Sequence, residues 1–413
     1  MDIKDAFDKS LFLLGAGASY DAGCKMSGGM LDEIKTEIVS DSEDIFDITQ
    51  KEALKFLLSC LEYHNQWRSF NTNNQFKFSA NIEELALLIR RIKNRENFLP
   101  YPITGNWADK LILLETEYKS KYPNMKSTLF ESLDQIIKQR LVPKWLDIKD
   151  TSFLDPLKTL FEDYSNLNFE MDLFSLNYDL VFEEYFSKYN MSPCKWFNNN
   201  ECRGMEWQDT QDVYGKIKLY KLHGSLDWVR LETGEVKIYD LCSDLEKAVL
   251  DINHKPYIIF GLGTKTFSVD PFFSLIHSFK KKLIEKDYIF VIGYSFFDPY
   301  INNLLIEAAN QGNGTKKIII VNPRFGPDNV KDLVDRGESA DKLLMDYIEA
   351  IQRNPFYSEL PEFNINHING ENVIFHIEQG MKNFLIEFFS NKGENFLSYI
   401  NDFENEKKRN DPF

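Results

Sequence analysis

Histidine is the side chain whose charge changes near neutral pH, and of the six in this 413-residue sequence His223 has the most suggestive setting. It lies in Lys221-Leu222-His223-Gly224-Ser225, where an apolar run ends and a glycine frees the backbone beside the imidazole. Such an imidazole suits proton transfer from a sugar hydroxyl, although a lone histidine is more often structural. Ser175-Leu176-Asn177-Tyr178-Asp179 closes another apolar run. Asn177 can donate and accept, so it could hold a water or a ribose hydroxyl. Asp179 could accept from a carboxamide N–H, or cap the helix that follows. In Gly15-Ala16-Gly17-Ala18-Ser19 the glycines could let the backbone approach a pyrophosphate at a helix start, or could serve packing in a tight turn. Tyr20 stands where the dinucleotide fingerprint wants its third glycine, which disfavours an ordinary dehydrogenase. Gly293-Tyr294-Ser295-Phe296-Phe297-Asp298-Pro299 and Val321-Asn322-Pro323-Arg324 complete the set. Either could contact the adenosine half of a dinucleotide, Ser295 and Asn322 through ribose hydroxyls. Turn and cap roles are the alternative for both.

Residues at strand ends must be positioned by strands. Short apolar runs at Leu11–Leu14, Met171–Leu176, Ile217–Leu222, Tyr257–Phe260, Tyr288–Ile292, Lys317–Val321 and Asn372–His376 read as buried strands. They alternate with helical patterns, one from Phe272 to Lys282 behind Asp270-Pro271 and another behind Asp298-Pro299. That alternation predicts an α/β fold, a doubly wound and mostly parallel sheet whose ligands bind at the carboxyl ends of the strands. Helical spacing takes over between the first two strands: Leu54, Leu57, Leu58 and Leu61, then Ile82, Leu85, Ile89 and Ile92, then Phe130, Leu133, Ile137 and Leu141. Asn81 with Glu84 reads as a capping box for the middle group. The division is then residues 1–40 and 150–390 as a Rossmann-like domain, 41–149 as a helical insertion, and 391–413 as a charged tail, frayed from Asn401. The Asn-rich stretches near Asn71 and Asn198 read as surface loops.

Taken in order, G-A-G-A-S, S-L-N-Y-D, K-L-H-G-S, G-Y-S-x-x-D and V-N-P resemble the sirtuin-like proteins of bacterial anti-phage systems, over the Rossmann-like parts of the chain. The resemblance implies a sirtuin-like fold and an NAD⁺ glycohydrolase, with NAD⁺ as substrate. Asn177 and His223 match the catalytic asparagine and histidine, and Asp179 matches the nicotinamide-side aspartate. Gly15, Ala16, Gly17 and Ser19 match the phosphate loop. Ser295 and Asn322 match adenosine-ribose contacts, within segments that also bring Gly293 and Asp298 to the cofactor. Two departures separate the chain from protein-deacylating sirtuins. It has no four-cysteine zinc module, so no zinc is expected, and Lys25-Met26-Ser27-Gly28 replaces the proline-aspartate-phenylalanine-arginine segment. A HerA-type hexameric ATPase is the partner that the resemblance implies.

The net charge of −16, from 64 acidic against 48 basic residues, argues against direct nucleic-acid binding. Five cysteines, with no C-x-x-C pair, argue against a disulfide framework and a thiolate metal site, and fit a reducing bacterial cytoplasm. Met1-Asp2-Ile3-Lys4-Asp5 lacks the basic opening of a signal peptide, and no apolar run is long enough to span a membrane. The apolar helical insertion suggests a homo-oligomer or, alternatively, a cap over the pocket. The competing functions are an NAD⁺- or ADP-ribose-binding assembly scaffold without turnover, a protein deacylase, and a nuclease.

Overall fold

A computed structural model describes residues 1–71, 80–94, 107–164, 170–189, 192–198, 201–208, 216–234, 236–239, 256–260, 270–296, 298–312, 315–323, 374–377 and 379–410. The chain divides into two compact units, one of Met1–Cys24, Asp147–Ile258 and Thr264–Phe413, the other of Lys25–Leu146 with Ile259–Gly263.

The first unit is organised by β1 (Ser10–Leu14), whose five residues are all buried. A strand apolar on both faces belongs in the middle of a sheet covered on both sides. It pairs in parallel with β2 (Glu170–Ser175), Phe12 opposite Leu173. Among the described residues ten further strands accompany it: after β2 come β3 (Ser192–Asn198), β4 (Glu201–Gln208), β5 (Lys216–Lys221), β6 (Gly224–Arg230), β7 (Val236–Ile238), β8 (Pro256–Ile258), β9 (Tyr288–Ile292), β10 (Lys317–Val321) and β11 (Ile374–Ile377). Eight form one sheet in the order β11-β10-β9-β1-β2-β5-β4-β3. The six from β11 to β5 run parallel, and β4 and β3 add an antiparallel edge. This is the expected doubly wound sheet. The chain moves from β1 outward through β2 to β5, then returns to β9 on the other side of β1, so the switch in strand order lies at β1 and β9.

One face of the sheet is covered through an aromatic cluster. Phe12 and Phe290 stack with ring centroids 5.1 Å apart, and Phe7, Phe389 and Phe396 close over them. On the other face Phe174 stacks on Tyr220 at 4.3 Å and meets Phe279 of the helix Phe272–Glu285 at 4.9 Å. That helix starts at Phe272, as expected, with Pro271 as its N-cap rather than its first residue, and the Asp270 carboxylate accepts from the Ser274 N–H and hydroxyl.

Three elements differ from the sequence reading. The segments on either side of the Asn-rich stretch form a strand pair, β3 with β4, and Asn199 and Asn200 themselves lie outside the described residues. Tyr257–Phe260 contributes only β8, which belongs to a second antiparallel sheet of order β7-β6-β8. The charged segment at the C-terminus is helical over Glu394–Asn410, with Phe396, Ile400 and Phe403 buried one turn apart. Spacing of four and three puts those apolar residues on one stripe beneath a charged surface.

The second unit is helical: Ser27–Val39, Ile48–Asn71, Ile82–Asn94, Trp107–Lys121, Leu129–Ile136, a π-turn at Ile137–Leu141 and Val142–Trp145. Of the twelve apolar positions that marked it in the sequence, Ile92 alone is not fully buried. Asn81 does cap its helix, accepting from the Glu84 N–H at 2.9 Å, while the Glu84 carboxylate accepts from Asn65. A reciprocal capping box that the sequence reading passed over joins Thr128 and Glu131. The unit begins at Lys25, ahead of the expected boundary, because the helix Ser27–Val39 packs on the helices Ile48–Asn71 and Ile82–Asn94. Among the described residues no helix is long and apolar enough to cross a membrane.

Candidate functional site

The carboxyl ends of β1 and β9 are locked together by glycine. After β1 the chain turns into a single 3-10 turn, Ala16–Ser19, and after β9 it turns at Gly293, where φ is +64°. A Cβ on Gly293 would stand 2.2 Å from the Ala18 nitrogen, and one on Gly17 would stand 2.8 Å from the Gly293 Cα. No side chain fits between backbones so close. The Gly15 N–H donates to Ile292 O at 2.9 Å and the Gly17 N–H to Gly293 O at 2.8 Å. Ala18 and Tyr20 N–H groups donate back within the turn, to Gly15 O and Gly17 O. Packing therefore accounts for Gly15, Gly17 and Gly293. The turn is one short 3-10 turn where a helix start was expected. Ala16 stands exposed at its tip.

Asn177 ties β2 to this turn. Its amide nitrogen donates to Gly15 O at 2.9 Å and to Ser19 Oγ at 3.0 Å, and its own N–H donates to Ser175 Oγ at 3.1 Å. Both amide hydrogens are thus committed to positioning the turn, so the chemistry left to this side chain is acceptance at Oδ1. Asn177 and Ser19 are buried.

His223 sits in the turn between β5 and β6, and is buried. Gly224 beside it has φ of +86°, and a Cβ there would stand 2.1 Å from Tyr257 O, so the turn admits only glycine. The imidazole Nε2 lies 3.2 Å from Oδ2 of Asp298, and the Tyr178 ring centre is 6.5 Å from its own. Asp298 belongs to the loop after β9, which is three strand positions from β5, about 14 Å at ordinary strand spacing. The His223–Asp298 contact therefore spans the carboxyl ends of β1 and β2, where Asn177 and Gly15 meet.

Asp298 is held on every side. Its Oδ1 caps the helix Pro299–Gln311 by accepting from Tyr300 and Ile301 N–H at 3.0 and 3.4 Å, as its position before a proline predicted. Its N–H donates to the Tyr294 hydroxyl at 3.1 Å. Tyr294 is fixed in turn by Asn302 Oδ1 at 2.9 Å, and Asn302 Nδ2 donates to Phe296 O at 2.7 Å. Asn322, after β10, donates from Nδ2 to Tyr294 O at 2.9 Å. Asn322 thus clamps the loop that carries Asp298, and Ser295 is exposed on that loop.

Below lies a buried charge cluster. Lys221 Nζ donates to Asp179 O, and lies 3.3 Å from Glu183 Oε1. Asp179 accepts from the Val181 N–H at 3.2 Å just ahead of the helix Val181–Ser187, whose N-cap is Leu180 and not Asp179. Burial works against the Lys221 charge, but Glu183, Asp179 and Asp227 outweigh it and hold the ammonium above the usual lysine range. Burial, opposed by Lys221 and assisted by Asp227 and Asp179, pushes Glu183 up to about 7. The Cys24 thiol is likewise pushed up to about 12, first by burial and then by Asp179.

The structure therefore links Gly15, Gly17, Ser19 and Asn177 directly, and links Gly293, Asn322, Asp298 and His223 through the β9 loop. Phe297 and Arg324, which stand in the quoted motifs, lie outside the described residues. Lys221, Glu183, Asp227, Tyr294 and Asn302 had no role in the sequence reading. The signal available was a polar residue inside an apolar strand, Lys221 after Ile217 and Leu219, Asp227 between Leu226 and Trp228. Among the described residues no group of three His, Cys, Asp or Glu is arranged to hold a metal.

A family model described as a SIR2-like domain matches residues 172–348. The matched span contains the motifs at Asn177, His223, Asp298 and Asn322, and leaves out the glycine turn after β1. No curated protein matches the sequence. Among solved structures, one described under the mechanism and regulation of Sir2 enzymes is 12% identical, with 86% of this chain and 98% of that one covered and a TM-score of 0.32. A Sir2 homologue point mutant in complex with ADP-ribose is 13% identical, covers 88% of this chain and 100% of its own, and has a TM-score of 0.34. A triple mutant of Sir2 homologues in complex with 2′-O-acetyl ADP-ribose is also 13% identical, with coverages of 87% and 99% and a TM-score of 0.33.

Proposed function

We propose that this site hydrolyses NAD⁺ at its nicotinamide–ribose bond. The observation that carries the reading is the junction of Asn177 with the glycine turn, at Gly15 O and Ser19 Oγ, under the span made by His223 and Asp298. An amide and an imidazole are thereby held at neighbouring strand ends, where ligands of doubly wound sheets bind. In the reaction the C–N bond breaks with its electron pair going to the pyridine nitrogen, so nicotinamide leaves neutral and needs no general acid. A water adds to the oxocarbenium-like carbon and releases one proton. Asn177 orients that water through Oδ1, and His223 draws on a ribose hydroxyl as charge develops.

The other residues divide by exposure. Ala16 and Ser295 are the exposed tips of the two loops and contact the dinucleotide, Ala16 near the pyrophosphate and Ser295 near the adenosine ribose. Gly15, Gly17, Gly293 and Asn322 hold those loops in place. Asp179 supports the Asn177 segment from the Lys221 cluster.

The order of the five motifs supports a role in anti-phage defence, by depletion of NAD⁺, with a HerA-type ATPase as partner. The test is incubation of the full chain with NAD⁺, with and without such an ATPase, and separation of the products. Stoichiometric nicotinamide and ADP-ribose are expected. Nucleotide binding without either product would replace the hydrolase with an assembly scaffold.

A further inference from the structure

We propose that Asp298 is a positioning residue for His223, fixing the imidazole and stabilising its protonated form, and that it is not a direct cofactor contact. The proposal rests on the hydrolase reading for its effect on rate, and on geometry alone for the pairing. Oδ2 of Asp298 faces Nε2 of His223 at 3.2 Å, and both side chains are buried. A carboxylate at that distance, away from water, stabilises an imidazolium far more than a solvated one does.

The carboxylate is unusually constrained. Oδ1 is committed to the N-terminus of the helix Pro299–Gln311, and the backbone on either side is held through Tyr294 and Asn302. Asn322 reaches the same loop from β10. An acid so anchored cannot swing to follow a substrate, but it can hold a ring. It also connects the β5 end of the site to the β9 end, so the position of His223 depends on the loop that Gly293 anchors. The other charged groups close by, Asp179 and Glu183 after β2 and Asp227 on β6, are gathered on Lys221.

Asparagine caps helices as well as aspartate does, so Asp298→Asn removes the charge and keeps the cap. The full-length variant is expected to melt near the wild type and to bind NAD⁺ with unchanged affinity. Its kcat is expected to fall about 10²-fold, with KM little changed, as for other lost supports of a catalytic histidine. The acid limb of its pH–rate profile should move to lower pH, because the neutral histidine then persists further into acid. Asp298→Ser, which caps and is neutral, should behave alike and serves if the asparagine variant does not fold.

The pairing has a readout that needs no turnover. In ¹⁵N-histidine NMR spectra, the His223 resonance, assigned through His223→Ala, should titrate at lower pH in Asp298→Asn than in the wild type. Unchanged kcat and pH profile, or an unchanged NMR titration, would overturn the proposal. Absence of nicotinamide release from the wild type would count against the hydrolase reading, and the NMR comparison would still decide the pairing.

Discussion

The two ends of the parallel sheet both bury charge, and they do it with opposite balance. At the amino end Asp172, fully buried on β2, is met by two lysines, Lys286 at 2.9 Å and Lys282 at 3.2 Å, and Lys286 also donates to Asp8 O at 2.9 Å. At the carboxyl end one lysine, Lys221, is met by three acids, Glu183, Asp179 and Asp227. The first arrangement brings two cations to one carboxylate oxygen, Oδ2, and lets Lys282 remain partly in water. The second leaves negative charge in excess beneath His223 and Asn177. Charge left unbalanced in a buried place is seldom favourable for stability, and is of use where a cation forms. The oxocarbenium-like centre of the proposed hydrolysis is such a cation. The amino end is therefore read as structural and the carboxyl end as functional.

Mutations should separate the ends. His223→Ala is expected to lose about 10² to 10⁴ in rate per folded molecule. Asp172→Ala should do the reverse: removing one partner from a buried pair costs about 3 to 5 kcal/mol of stability, and the rate per folded molecule should hold. Urea unfolding beside active-site titration checks both. If Asp172→Ala lost rate without losing stability, the two ends would not be distinct. Gly293→Ala is expected to fall between, losing about 1 to 3 kcal/mol through its positive φ and its collision with Ala18, and losing rate because the β9 loop shifts.

The smallest effect concerns pH. Glu183 is held near 7, above its unfolded value, so the folded state binds its proton more tightly than the unfolded chain does. Its contribution to stability is complete below the unfolded value and is lost as pH rises toward and through about 7. Glu183→Gln cannot ionise, so its melting temperature should gain on the wild type between pH 5 and pH 8. A difference that stays constant over that range would remove Glu183 from the unbalanced cluster.

Much of the fold was legible in the sequence because parallel strands covered on both faces are continuous apolar runs, and β1, β9 and β10 are such runs. The hairpin of β3 and β4 was not, since Lys195, Asn198, Glu201 and Arg203 break the apolar pattern of an edge. The C-terminal helix was hidden by charge, although Phe396, Ile400 and Phe403 carry its spacing. In the site, Asn177 and His223 stood out because each ends a strand beside a small or polar residue. The partners that define them did not. Asp298 is far from His223 along the chain, and Glu183 and Asp227 reach Lys221 only because β2, β5 and β6 converge. Local spacing cannot express such contacts. For the glycines, sequence left two readings open, and the backbone contacts at Gly293 show the packing role directly.

The most direct test is the rate of nicotinamide release from NAD⁺ by the full chain, set beside Asn177→Ala and His223→Ala with nucleotide binding measured separately by calorimetry. The hydrolase account predicts release by the wild type, its loss in both variants, and binding retained at least in His223→Ala. Release that survives in both variants, or its absence from a wild-type protein that binds NAD⁺ with and without the candidate ATPase, would contradict it.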